Sequence, residues 1–126
     1  MDDPYNEAVR DCFENPDHAG DLQGVYDLML TADAAESGQG AKVVLSAGVA
    51  AGTIAEMRFR VWGCPHLVAA AETLCREREN GPVSGFSQFD VSALMEHLSV
   101  PAAKTGKMLL LEDVLKSLRD QHEHAA

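Results

Sequence analysis

Apolar positions change their spacing twice along the chain, dividing it into one helix, a block of strands and a block of helices. Between Tyr5 and Phe13, the residues Ala8, Val9, Cys12 and Phe13 share one helical face. Asn15-Pro16 ends this segment, because a residue before proline avoids the helical region, and Asp17 to Gly24 reads as loop. Three strands follow. Val25 to Ala32 is apolar with aspartate on one face, Asp33 to Gly40 is a small, polar, glycine-rich loop, and Lys42 to Ala47 is short and β-branched. Gly48 and Gly52 bracket a turn before Thr53 to Trp62, the clearest alternation in the chain. There Met57, Phe59 and Val61 face one way while Glu56, Arg58 and Arg60 face the other.

The period then returns to that of a helix. Pro65 suits a first helical turn, where its missing N–H would be unpaired anyway, and Asn80-Gly81 closes a helix running to about Arg78. Leu67, Ala71, Leu74 and Cys75 form its buried stripe. After a loop from Gly81 to Gln88, Asp90 caps a short helix to Leu98, and Val100-Pro101 breaks the chain again. A last helix starts near Lys104 to Gly106 and runs to about Gln121, with Met108, Leu111, Leu115 and Leu118 inward and a frayed tail beyond. One helix, three strands and three helices predict an α+β fold: a small three-stranded antiparallel sheet with helices packed on one face.

Composition narrows the class. At 126 residues, 46% of them apolar, the chain fits a single domain over 1–126, with a structured core at about 5–118. Twenty acidic against ten basic side chains give a formal charge of −10, which argues against nucleic-acid and anionic-membrane partners and favours protein partners. The opening Met1-Asp2-Asp3-Pro4 is the reverse of a basic signal-peptide start, and no apolar run is long enough to span a bilayer. Three cysteines, an odd number, point to free thiols in a reducing compartment, so the cytoplasm is the expected location.

Cys64 is the strongest candidate for chemistry. It sits between a strand and a helix, where unpaired N–H groups favour an anion, so it is expected to act as a thiolate toward a soft metal or sulfur. The bland reading is a small residue filling the junction after Gly63. Cys75 lies eleven residues on, roughly 16 Å along the helix axis, too far to share a metal with Cys64. Cys75 and Cys12 read as buried structural thiols. His66 is close to Cys64, but Cys-x-His is a weak metal spacing without further ligands, and His18 and His97 read as residues with no specific role. No hydrolase, P-loop or CxxC motif is present, and no base is evident for Ser37, so no enzyme is expected.

Three segments in register carry a resemblance. YNEAVRDCFENPDHAG resembles the N-terminal helix and Asn-Pro loop of IscU-type and NifU N-terminal iron–sulfur scaffold proteins. EMRFRVWGCPHLVAAAETL resembles their strand–Gly-Cys–helix segment, and LSVPAAKTGKMLLLEDVLKSL their Leu-Pro-Pro-Val-Lys segment and final helix. The likeness spans about Tyr5 to Leu118. It implies a scaffold on which iron and sulfide assemble into an iron–sulfur cluster, working with a cysteine desulfurase, a chaperone that reads the proline segment, and recipient apoproteins. Of the ligand positions it implies, Cys64 alone is retained. Ser37 and Gln39 stand in place of a cysteine and an aspartate, and Gly106 and Lys107 in place of a histidine and a cysteine. In the chaperone segment Pro101 and Lys104 persist, while Ala102 and Ala103 replace its more distinctive residues. Thiolates normally hold cluster iron, so one cysteine is too few, and an ammonium at Lys107 beside Cys64 would favour a reactive thiolate instead. Three readings follow: an assembly protein sharing ligands across subunits or with a partner, a degenerate adaptor or modulator without a cluster, and a persulfide acceptor using Cys64.

Overall fold

The computed structural model describes residues 5–38 and 40–125; Gln39 lies outside them. Helix α1 (Glu7–Glu14) leads into strands β1 (Leu28–Ala35), β2 (Lys42–Ala50) and β3 (Thr53–Trp62), then helices α2 (Pro65–Arg78), α3 (Val91–Leu98) and α4 (Thr105–Ala125). Short 3-10 turns at Val83–Ser87 and Ala102–Lys104 precede α3 and α4. The sheet order is β1-β2-β3, antiparallel throughout, as the alternation predicts.

Local chemistry explains where the elements begin and end. The Asn6 side chain accepts from Val9 N–H at 2.9 Å and caps α1, while its amide donates to the His97 carbonyl at 3.0 Å, tying α1 to the end of α3. Asp90 caps α3 through Ala93 N–H at 3.0 Å. The β2–β3 hairpin turns on Ala51 and Gly52, both at positive φ (51° and 76°), a two-residue turn whose twist suits the strands it joins. A bulge follows. Val49 pairs with Ile54 but Gly48 pairs with Glu56, so Ala55 is the extra residue and both Ile54 and Met57 face the core.

One sheet face carries the core. Leu30, Ala32, Val43, Leu45, Ala47, Ile54, Met57 and Phe59 are buried on it beneath α2, which packs on β3, and α4, which packs on β1 and β2. The stripes read from sequence hold: Leu67, Ala71, Leu74 and Cys75 of α2 and Met108, Leu111, Leu115 and Leu118 of α4 are buried. Four boundaries or faces differ. β1 starts three residues later than the pattern suggests and runs through Asp33 to Ala35, because β2 supplies a partner up to Lys42. β2 itself continues through Gly48 to Ala50. Helix α4 continues past Gln121 to Ala125, with the His122 ring edge-on to Phe86 at 6.5 Å. Phe13 stays half exposed at the end of α1, whereas Val9 and Cys12 enter the core.

The second sheet face is covered in part by the segment between α1 and β1. His18 and Gly20 bond Phe59 along the outer edge of β3. Further on, the Tyr26 ring lies against Gly48, where a Cβ would come within 2.1 Å of the ring. Glu56, on the polar face of the alternation, is therefore buried.

Candidate functional site

Register places the segments that matter at one end of the sheet. Ala35 pairs with Lys42, and Lys42 with Trp62, so the β1–β2 loop and the chain entering α2 leave the sheet side by side. Cys64 lies two residues past Trp62 and occupies the cap position of α2 in an extended conformation, half-buried, with no capping hydrogen bond from its side chain. Pro65 begins the helix as expected.

The start of α4 closes on this end through charge. Lys107 Nζ donates to Glu36 Oε1 at 2.7 Å, and both side chains are 26% exposed. This pair joins α4 to the β1–β2 loop next to Ser37, which is exposed. Gly106 is exposed and nothing crowds its Cα. Lys104 reaches the other neighbour of the site: its ammonium donates to His66 Nδ1 at 2.8 Å, linking the turn before α4 to the first turn of α2. Pro101, just upstream, is exposed.

His66 thus has its Nδ1 engaged by Lys104. It is buried, edge-on to the Tyr5 ring at 4.9 Å, and burial, with the Lys104 charge second, lowers its pKa from the ordinary histidine range. With Nδ1 accepting from Lys104, the ring proton belongs on Nε2, which has no hydrogen-bond partner among the described residues. The other two thiols are core residues, as the sequence suggests. Cys12 Sγ lies 3.4 Å from Thr73 Oγ1, and burial, followed by the charges of Glu72 and Glu79, pushes the Cys75 thiol far up.

Among the described residues no group of three or more His, Cys, Asp or Glu side chains is placed to hold a metal ion. The donor set at the sheet end is thus one thiol beside an ion pair. It does not fit an iron–sulfur cluster held by thiolates within one chain.

His18, read as having no specific role, is instead a hub. Its backbone N–H donates to Glu72 at 2.9 Å, its Nδ1 lies 2.6 Å from the second Glu72 oxygen and its Nε2 lies 3.1 Å from Glu79. Glu72 also accepts from Arg76 at 2.8 Å, and Arg76 reaches Asp11 at 2.9 Å. Glu79 accepts from Met57 N–H at 3.0 Å and Arg58 at 2.8 Å. Burial raises its pKa, but the Met57 N–H, the His18 ring and Arg58 outweigh that and hold it low. Glu56 is held in the same way by Gln23 N–H (2.8 Å), Gly24 N–H (3.0 Å), the Tyr26 hydroxyl (2.7 Å) and Arg58 (3.1 Å). Three buried or half-buried glutamates thus fasten the whole segment from His18 to Tyr26. The only sequence signal for this was Glu72, set among the apolar residues between Leu67 and Cys75; Glu56 read as an ordinary polar-face residue.

The family profile of the NifU-like N terminal domain matches residues 4–123, and the chain belongs to that family. Solved structures agree on the fold. A nitrogen-fixing NifU-like protein (N-terminal) from Brucella abortus superposes with a TM-score of 0.72 at 14% identity, over 96% of this chain and 95% of that one. A putative iron–sulfur cluster assembly scaffold protein for the SUF system from Fervidobacterium islandicum AW-1 gives 0.70 at 13% identity, over 92% and 96%. The crystal structure of a hypothetical protein gives 0.60 at 17% identity, over 86% and 94%. No curated protein matches by sequence. Among the described residues no helix is long and apolar enough to cross a membrane.

Proposed function

We propose that the chain serves iron–sulfur cluster assembly as a binding protein rather than a catalyst, docking with a cysteine desulfurase but holding no stable cluster as a monomer. Family membership supports the pathway. The observation that carries the second half is the donor set at the sheet end, where Cys64 is the one thiol among the described residues and Lys107 is paired with Glu36. The experiment is anaerobic incubation with ferrous iron, cysteine and a purified desulfurase, followed by absorption spectroscopy and iron and sulfide analysis on the monomer. Iron and sulfide should stay well below stoichiometric, and the double variant Ser37→Cys, Lys107→Cys should retain more of both. Stoichiometric cluster on the monomeric wild type, lost in Cys64→Ser, overturns the reading. The pathway half is tested separately by the desulfurase: the chain should bind it and change its rate of sulfide release, and a chain that does neither has another role.

A second reading has its own support. Cys64 is half-buried while Cys12 and Cys75 are buried, so Cys64 is the thiol a sulfur donor can reach. Attack of its thiolate on the outer sulfur of a desulfurase persulfide would leave a persulfide on Cys64 and a free thiolate on the donor, with no external oxidant. Mass spectrometry finding the added sulfur on Cys64 favours this reading, and its absence under turnover removes it.

A further inference from the structure

Phe13 and Trp62 are large aromatic side chains that the core leaves 50% and 51% exposed. They line one open groove of about 430 Å³, bounded by the end of α1, the outer edge of β3 and Val68 of α2. Two half-exposed aromatics lining one groove are uncommon on a surface with no partner, because each leaves apolar area in water.

The backbone beside the groove is also unfinished. Phe59 N–H donates to His18 O at 2.9 Å and Phe59 O accepts from Gly20 N–H at 2.8 Å, so residue 59 turns both groups outward from the sheet. Met57 N–H, bonded by Glu79, points the same way. Backbone direction alternates along a strand, so Val61 presents its N–H and C=O to the same edge. Among the described residues neither group takes a partner on that side. The pairing begun at Ala19 stops at Phe59, one step short of Val61.

The charges at the rim are unbalanced in what remains available. Arg60 is held bidentately by Asp21 at 2.9 and 2.7 Å, the Lys42 ammonium lies 5.6 Å over the Trp62 ring, and Arg10 is engaged. Glu14 and Asp17, exposed and next in sequence to the lining residues Phe13 and Pro16, have no ion-pair partner among the described residues. The unanswered charge is negative. A second copy of this chain, itself at −10, fits such a rim poorly.

We propose that this groove is a docking site for an extended segment of a partner protein. The segment adds to the edge of β3 at Val61, seats an apolar side chain between Phe13 and Trp62, and sets a lysine or arginine against Glu14 and Asp17. Backbone pairing supplies the orientation, and the groove and the carboxylates supply the selectivity. The inference stands apart from the assembly reading, since it needs neither Cys64 nor a metal.

Trp62 is the sole tryptophan of the chain, so its emission reports occupancy of the groove. The probe is a display library of random eight-residue peptides, selected on the wild-type chain and counter-selected on Phe13→Ser. Enriched sequences should carry an aliphatic or aromatic residue close to a lysine or arginine. The most enriched peptide, synthesised, should change Trp62 emission saturably. Binding should weaken by about tenfold or more in Phe13→Ser, and also in the double variant Glu14→Lys, Asp17→Lys, which alters only exposed positions and leaves the core intact. Methylating the peptide backbone nitrogens should weaken it further, and Val25→Ser, outside the groove, should change nothing. Four results overturn the proposal: no enrichment over the counter-selection, enrichment of acidic peptides, binding indifferent to both groove variants, or self-association of the free chain that Phe13→Ser abolishes. The last would assign the groove to a second copy.

Discussion

Single residues decide more here than their frequency suggests. Gly48 is one case. Its missing side chain leaves room for the Tyr26 ring, whose hydroxyl is anchored to Glu56, so the ring cannot swing aside freely. Gly48→Ala should cost about 1–3 kcal/mol of stability in urea unfolding, the usual range for overpacking. In a Tyr26→Ala background most of that cost should vanish, because the clash partner is gone; equal costs in both backgrounds would place the strain elsewhere. The cysteines are a second case. Brief iodoacetamide labelling near neutral pH should modify Cys64 well before Cys12 and Cys75, since burial shields those two and pushes the Cys75 thiol far up. Mass spectrometry separates the three sites, and a fast Cys75 would contradict the packing of α2. Lys107, expected as a cation beside Cys64, instead has its ammonium paired with the Glu36 carboxylate.

At the scale of elements, the segment between α1 and β1 shows what sequence reading reaches and what it misses. Alternation and helical stripes located every strand and helix, because burial on one face imposes a period that local residues must obey. The same reading left Asp17–Gly24 as plain loop. Its partners, Glu72, Glu79 and Glu56, lie 32 to 61 residues away, and nothing local announces a carboxylate recruited to bind a distant backbone. Phe13 was misplaced for a related reason: helical spacing tells which face a residue shares but not where the covering element stops. The candidate site divides likewise. Cys64 at the start of α2 was legible from Gly-Cys-Pro, whereas the Glu36–Lys107 and His66–Lys104 pairings depend on how α4 meets the sheet. The carboxylate fastening makes a pH prediction. The carboxyls of Glu56 and Glu79 are held below the ordinary range, so their contribution to stability is complete above the unfolded value of about 4.3 and is lost as pH falls through the lower folded value. Glu56→Gln should therefore lower the urea midpoint at neutral pH, with the difference from wild type shrinking as both proteins are taken below pH ~4. A gap that stays constant into acid would mean that Glu56 acts through packing alone.

For the whole molecule, the question is what holds the sheet end together. The β1–β2 loop leaves the sheet beside β3, and α4 must be fixed against it for its apolar stripe to meet β1 and β2. In this chain the tie is an ion pair within the sheet end, Lys107 to Glu36, seconded by Lys104 to His66. Both ties use side chains already present in the polypeptide, so the fold should be complete without metal. Thermal unfolding should be unchanged by EDTA and by added ferrous iron or zinc, because ligand that does not bind the native state selectively cannot shift its stability. Lys107→Ala should cost about 1 kcal/mol, the scale of a partly exposed pair. In hydrogen exchange its loss of protection should be confined to the β1–β2 loop and the first turn of α4. A Tm that falls by several degrees in EDTA would show that a bound ion, rather than the ion pair, closes the sheet end.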